Sequence, residues 1–134
     1  MSYLVDTCVL SEARRRSAPA VAWLQAVDPA AVFLSVITIG EIAKGVAVRQ
    51  RTDPVASAGL SRWLDGLRDL YADRVLPIDD AVATAWGHLM ARRSFPVPDG
   101  LMAATARVHD LSLVTRNVAD FADTGVDVVN PWAA

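Results

Sequence analysis

The chain has 134 residues, 13 basic against 15 acidic side chains, a formal net charge of −2 and 53% hydrophobic residues. That length predicts one domain with a core large enough to fold without a disulfide or metal, and the composition excludes a disordered chain. The near-even charge excludes a protein that coats nucleic acid by charge alone, and the single cysteine, Cys8, excludes an internal disulfide framework or a Cys-rich zinc site.

The longest apolar run, residues 30–40, is about half of what a membrane-spanning helix needs. No basic segment precedes an apolar stretch at the N-terminus, so no signal peptide is read. The expectation is a soluble, cytoplasmic protein without a membrane association. Thirteen of the acids are Asp; the two Glu are Glu12 and Glu41. A Glu inside an apolar stretch therefore stands out.

In chain order, Tyr3-Leu4-Val5 is a short strand ending at Asp6, and residues 9–16 read as a helical turn or two. Pro19 suits the first turn of a helix whose face carries Val21, Leu24 and Val27. Residues 32–37 are continuous and β-branched, as in a buried and central strand. From Thr38 the spacing of Ile39, Ile42, Val46 and Ala47 predicts a helix to about Arg51. Leu60, Leu64, Leu67 and Leu70 space a second long helix, and Val75-Leu76-Pro77-Ile78 is a strand. Asp79-Asp80 can cap the helix bearing Val82, Trp86, Leu89 and Met90. After the stiff Phe95-Pro96-Val97-Pro98 loop, Asp99 opens a helix over 100–109. Strands over 112–115 and 126–129 flank the segment 117–121.

Strands alternating with helices predict an α/β fold, a largely parallel sheet covered on both faces. In such sheets the functional crevice lies beyond the carboxyl ends of the strands. The polar residues falling there are mostly acids. Asp6 closes the first strand, Glu41 lies one turn into the helix after the second, Asp99 heads a helix, and Asn117 and Asp120 follow the strand ending at Thr115.

Asp6, Asp99 and Asp120 each read equally well as helix N-caps. Glu41 does not, because a carboxylate in the first turn after a buried strand points into the crevice. Converging carboxylates repel, and a cation removes the conflict. Oxygen donors without His or Cys favour Mg²⁺ or Mn²⁺ over zinc. Such a centre suits attack of water on a phosphodiester.

Four blocks carry a resemblance: Tyr3-Leu4-Val5-Asp6-Thr7; Ser35-Val36-Ile37-Thr38-Ile39-Gly40-Glu41; Asp99-Gly100-Leu101-Met102-Ala103-Ala104-Thr105-Ala106; and Thr115-Arg116-Asn117-Val118-Ala119-Asp120-Phe121. In order and spacing they resemble the acidic blocks of PIN-domain ribonucleases, more narrowly the VapC and FitB-type toxins of bacterial type II toxin–antitoxin pairs. Asn130-Pro131-Trp132 is also FitB-like.

The resemblance spans essentially the whole chain, read as one domain over 1–134. It implies a three-layer α/β/α sandwich with a mainly parallel sheet. It also implies a Mg²⁺-dependent endoribonuclease (Mn²⁺ substituting), usually dimeric and inhibited by a small DNA-binding antitoxin, with which it forms a higher assembly. By position Asp6, Glu41 and Asp99 match the first three metal-site acids, and Asp120 or Asn117 supplies the fourth. Cys8 stands where the family often has Asn, which implies a lost supporting hydrogen bond to Asp6.

Other residues read more plainly. His88 and His109 suit helix faces and ends. Cys8 reads as a small buried packing residue, the Leu60–Leu70 stripe as core with part left for a dimer or antitoxin contact, and Trp23, Trp63 and Trp86 as core or interface. Arg14-Arg15-Arg16 and Arg92-Arg93 read as solvated faces or as holders of RNA phosphates beside the acids. Lys44 and Arg116, next to Glu41 and Asn117, are further phosphate candidates. No Ser-His-Asp order, glycine-rich phosphate loop or zinc spacing appears. A receiver domain would want an acidic pair after the first strand and a Lys after the last, and both are missing. A catalytically silent partner-binding domain is the remaining alternative.

Overall fold

Strand β1 (Tyr3–Val5) takes the middle of a five-stranded sheet, in a computed structural model that describes residues 1–133. The strand order is β3-β2-β1-β4-β5, with β2 (Val32–Ser35), β3 (Val75–Leu76), β4 (Ser112–Val114) and β5 (Val128–Val129). All four pairings are parallel; Tyr3, Leu4 and Val5 face Ser112, Leu113 and Val114 across one edge, and Tyr3 and Leu4 face Val32 and Phe33 across the other. β2, expected at the centre, lies one strand away from it.

Alternation along the strands sorts the core into two layers. Leu4 and Val5 are neighbours in sequence and both fully buried, yet they point to opposite faces. Val5 joins Val32, Leu34 and Val114 beneath α1 (Thr7–Arg14), α2 (Ala18–Ala26), α3 (Val36–Gln50) and α4 (Pro54–Leu70). Leu4 and Leu113 join Val82, Leu89, Met102 and Phe121 beneath α5 (Asp80–Arg92) and α6 (Val97–Val108). The result is the three-layer α/β/α sandwich. Of the α4 stripe, Leu60, Leu64 and Leu67 are buried as core, whereas Leu70 is exposed. Among the described residues no helix is long and apolar enough to cross a membrane.

Two boundaries differ from the expectation in ways that affect the site. The strand read over 32–37 stops at Ser35, whose hydroxyl accepts the Ile37 N–H at 3.0 Å and starts α3 two residues early. A side-chain cap outweighs the strand propensity of Val36 and Ile37. α6 likewise starts at Val97, with Pro98 in its first turn, so Asp99 lies inside the helix and does not cap it. Asp79 caps α5 by accepting the Val82 N–H at 3.0 Å. The strand expected over 126–129 is reduced to Val128–Val129, after Gly125 at φ 77°. That left-handed backbone suits glycine.

Candidate active site

Parallel topology gathers the acids at one end of the sheet. α1 and α3 leave directly from the carboxyl ends of β1 and β2. α6 ends four residues before β4 begins, so its N-terminus lies at that same end. The positive ends of three helix dipoles thus face the strand termini, where negative charge is favoured.

Asp6 occupies the cap position of α1, yet its carboxylate makes no cap hydrogen bond. Its Oδ2 instead accepts from the Thr115 hydroxyl at 2.8 Å and from the Cys8 thiol at 3.4 Å. Cys8 therefore keeps the hydrogen bond to Asp6 that the resemblance implied was lost, now through sulfur. It is half-buried and packs against the core beneath α1, α2, α3 and α4. Burial, and next the negative charge of Asp6, push the thiol up to about 11. At neutral pH it stays protonated and remains a donor.

Thr115 is fully buried and joins the two ends of the chain. Besides donating to Asp6, its Oγ1 accepts the Asn117 backbone N–H at 3.1 Å. Glu41 lies in the second turn of α3, since that helix starts early, and is exposed. The Thr7 hydroxyl stands 2.7 Å from Glu41 Oε1 and 2.9 Å from the hydroxyl of Thr38. Thr7 carries one proton and a carboxylate can only accept, so that proton goes to Glu41. Thr7, Thr38 and Thr115 were missed in the sequence, where threonine beside a strand reads as ordinary β propensity. The available signal was position: each stands within three residues of an acid or at a strand end.

Asp99, half-buried in the first turn of α6, registers the whole cluster. Its carboxyl is raised above the ordinary carboxylate range, by burial first and then by the negative charges of Asp6, Asp120 and Glu41. The helix N-terminus favours its charge, but desolvation and three neighbouring carboxylates outweigh that.

Asp120 is exposed in a 3₁₀ turn (Val118–Phe121), and Asn117 stands at the cap position of that turn without using its side chain there. Arg93 holds this segment: its guanidinium donates to the Asp120 carbonyl at 2.9 Å, pairs with Asp123 at 3.0 Å and stacks 3.8 Å over Phe95. Arg93 is thus engaged in structure and is not a free phosphate contact. Arg116 lies 4.8 Å over the Trp132 ring. Lys44 is exposed one turn beyond Glu41. Arg14 and Arg15 line a cavity together with Glu41. His88 and His109 are exposed; Trp23 meets Tyr3 edge-on at 5.1 Å.

The donor set suits a hard divalent cation, being carboxylate oxygens without a histidine. Among the described residues no three carboxylate, imidazole or thiol groups form a ready cage. An ion that keeps several of its own waters, as Mg²⁺ does, needs no such cage. The four mutually repelling acids fit that kind of ion.

An all-parallel α/β/α sandwich with acids gathered at the strand carboxyl ends defines the class of molecule, and comparison with known proteins makes it specific. The PIN domain model matches residues 3–126, and the chain belongs to the PIN-domain family. The chain is 33% identical to toxin FitB of Neisseria gonorrhoeae over 136 residues, covering 96% of the chain and 97% of that protein. It is 30% identical to the VapC ribonuclease Y4jK of Sinorhizobium fredii, covering 96% of each. Among solved structures, FitAcB from Neisseria gonorrhoeae superposes with a TM-score of 0.90 at 33% identity, covering 98% of this chain and 99% of that one. A toxin–antitoxin complex from Klebsiella pneumoniae superposes at 0.75 with 25% identity, covering 99% and 100%.

Proposed function

We propose that the protein is a divalent-metal-dependent endoribonuclease acting as the toxin of a type II toxin–antitoxin pair in the cytoplasm. The observation that carries this reading is the gathering of Asp6, Glu41, Asp99 and Asp120 at the carboxyl end of one parallel sheet, close enough for the other three to raise the Asp99 carboxyl. Four carboxylates gathered at the strand ends, in a chain similar to a named toxin and a named ribonuclease, call for a cation. Asp6, Glu41, Asp99 and Asp120 would hold Mg²⁺, or Mn²⁺ in its place. The ion supplies an activated water and offsets the charge that develops on the phosphodiester.

The protein's own part is to keep the oxygens aimed. Thr115 and the protonated Cys8 orient one carboxylate oxygen of Asp6, and Thr7 orients Glu41. Asn117, beside Asp120, has an amide to orient water or a neighbouring carboxylate. Arg116, next to Asn117, and Lys44, one turn beyond Glu41, would receive phosphates of the RNA.

The partner is a small DNA-binding antitoxin whose Arg or Lys side chain enters the acidic cleft, since uncompensated carboxylates pair well with guanidinium. A groove of about 440 Å³ lined by Leu24, Val27, Trp63, Leu67 and Leu70 offers it an apolar seat between α2 and α4. The toxin itself is a homodimer that joins the antitoxin in a larger assembly.

The test is a Mg²⁺ and Mn²⁺ titration of metal-free protein, reading the melting temperature and cleavage of a single-stranded RNA together. The expected result is no cleavage in EDTA, and cleavage restored with a metal-induced rise in melting temperature. Undiminished cleavage in EDTA would refute the metal-dependent reading. A metal-induced shift without cleavage of any RNA would favour a silent partner-binding domain.

A further inference from the structure

We infer that the cavity between α1, α3 and α4, lined by Arg14, Arg15 and Arg49, is a phosphate subsite for single-stranded RNA in which the unpaired Arg14 and Arg49 hold the anion. The inference rests on the ribonuclease reading above and adds where the substrate is held. The cavity measures about 120 Å³ and is lined by Thr7, Glu41, Arg14, Arg49 and Trp63, among others. That is well below the roughly 300–1,000 Å³ of pockets that enclose a small organic ligand. It suits a phosphate group entering from an extended strand.

The two arginines are unpaired and held in place. Among the described residues neither forms an ion pair, in contrast to Arg15, which pairs with Glu12 at 3.2 Å. The Arg14 guanidinium stacks 5.4 Å over the Trp63 ring. A cation seated over the ring keeps its donors available to an anion. Arg49 lies one helical turn beyond Gly45, and a Cβ at Gly45 would stand 3.3 Å from Arg49 Nη1 and from Leu60 Cδ2. The missing side chain opens the notch in which the guanidinium rests.

Glu41 borders the same cavity. An anion between the arginines is therefore adjacent to the acid cluster without competing for it. A strand whose one phosphate sits here presents a neighbouring phosphodiester to the acids. The cavity reads no base, so it contributes affinity and register and no sequence preference.

The experiment measures RNA binding and RNA cleavage separately. In an Asp99→Asn background, anisotropy of a fluorescent, unstructured RNA twelve-mer is followed against salt, with and without Arg14→Gln/Arg49→Gln. Both side chains are exposed, so the fold should persist, and circular dichroism checks it. The expected result is about tenfold weaker binding for every RNA sequence. The slope of log Kd against log salt should fall by about 0.7, the value for one phosphate contact on a single strand.

Arg14→Lys/Arg49→Lys should restore the slope but not the full affinity, because the planar fork is lost. In the cleavage-competent protein the loss should appear in KM more than in kcat. Unchanged affinity and slope in the folded double Gln variant would overturn the subsite, even if the protein cleaves RNA. If the protein binds RNA through these arginines yet cleaves none, the ribonuclease reading fails and the subsite stands.

Discussion

Replacing Thr115 by Val changes one atom that several others depend on. The two side chains have the same shape, so no cavity opens, and the 3.8 Å contact with Cys8 Sγ persists with a methyl group in place of the hydroxyl. What disappears is the 2.8 Å donation to Asp6 and the acceptor for the Asn117 N–H. Asn117 is exposed and its amide can turn to water; Asp6 loses a donor inside a half-buried pocket. A hydrogen bond to a charged group contributes about 1.5–3 kcal/mol, so about 2 kcal/mol is the expected destabilisation.

At about 2.1 cal/mol/K per residue, a chain of 134 residues unfolds with an entropy near 0.28 kcal/mol/K. Melting should then fall by about 7 °C, read by calorimetry at pH 7. Cleavage should drop about 10–100-fold, the usual effect of losing a group that orients a metal-binding side chain. Thr115→Ser keeps the hydroxyl and removes one methyl, about 0.8 kcal/mol, so it should melt only a few degrees low and cleave nearly normally. If Thr115→Val melted within a degree of the parent, or if Ser and Val lost activity equally, the orienting role would be refuted.

Further outcomes follow from the same geometry. Asp99→Asn should abolish cleavage yet raise the melting temperature of the metal-free protein at neutral pH. The raised carboxyl means that the folded state binds the proton more tightly. Stability is lost as pH rises from the ordinary carboxylate value through the raised one, and the penalty stands in full above it. At pH 3 the variant and parent should therefore melt alike, and a neutral-pH melting temperature below the parent's would contradict the repulsion. Gly100→Ala places a Cβ 3.0 Å from Cδ1 and Nε1 of Trp86 and 3.3 Å from Met90 Sδ. Overpacking of that kind costs about 1–3 kcal/mol, and calorimetry should show it, because Trp86 and Met90 must give way to the added methyl group. Asp120→Asn should weaken the Mg²⁺-induced melting shift more than Asn117→Ala does. Equal shifts would remove Asp120 from the metal site.

Much of this was legible because acids and strand ends leave strong marks. Asp6 after Tyr3-Leu4-Val5, and Asp120 after the strand at 112–114, could be placed from hydrophobic runs and their stops. Glu41 stood out from the near absence of glutamate. Boundaries decided by a single hydrogen bond were less visible: Ser35 starts α3 against two β-branched residues that read as strand. Asp99 looked like a cap because Pro98 precedes it, when that proline is already helical. The hydroxyl partners could not be read, since the bond from Thr115 to Asp6 joins residues 109 positions apart. Local pattern carries no information across that separation. Arg49 was missed for a similar reason, its notch being made by a glycine on its own helix and a leucine on the next.

The bond across 109 residues also sets an order of events in the cell. Strand β1 leaves the ribosome first, but its partner β4 and the threonine that aims Asp6 come almost last. At about 5–20 residues per second of synthesis, Asp6 waits roughly 5–20 s for Thr115. Until then β1 has no neighbour on its β4 side, and the fourth acid does not yet exist. A chain truncated before residue 115 has three of the acids but lacks the Thr115 hydroxyl that aims Asp6. The site is therefore completed only when β4 joins the sheet, and every incomplete copy lacks that hydroxyl.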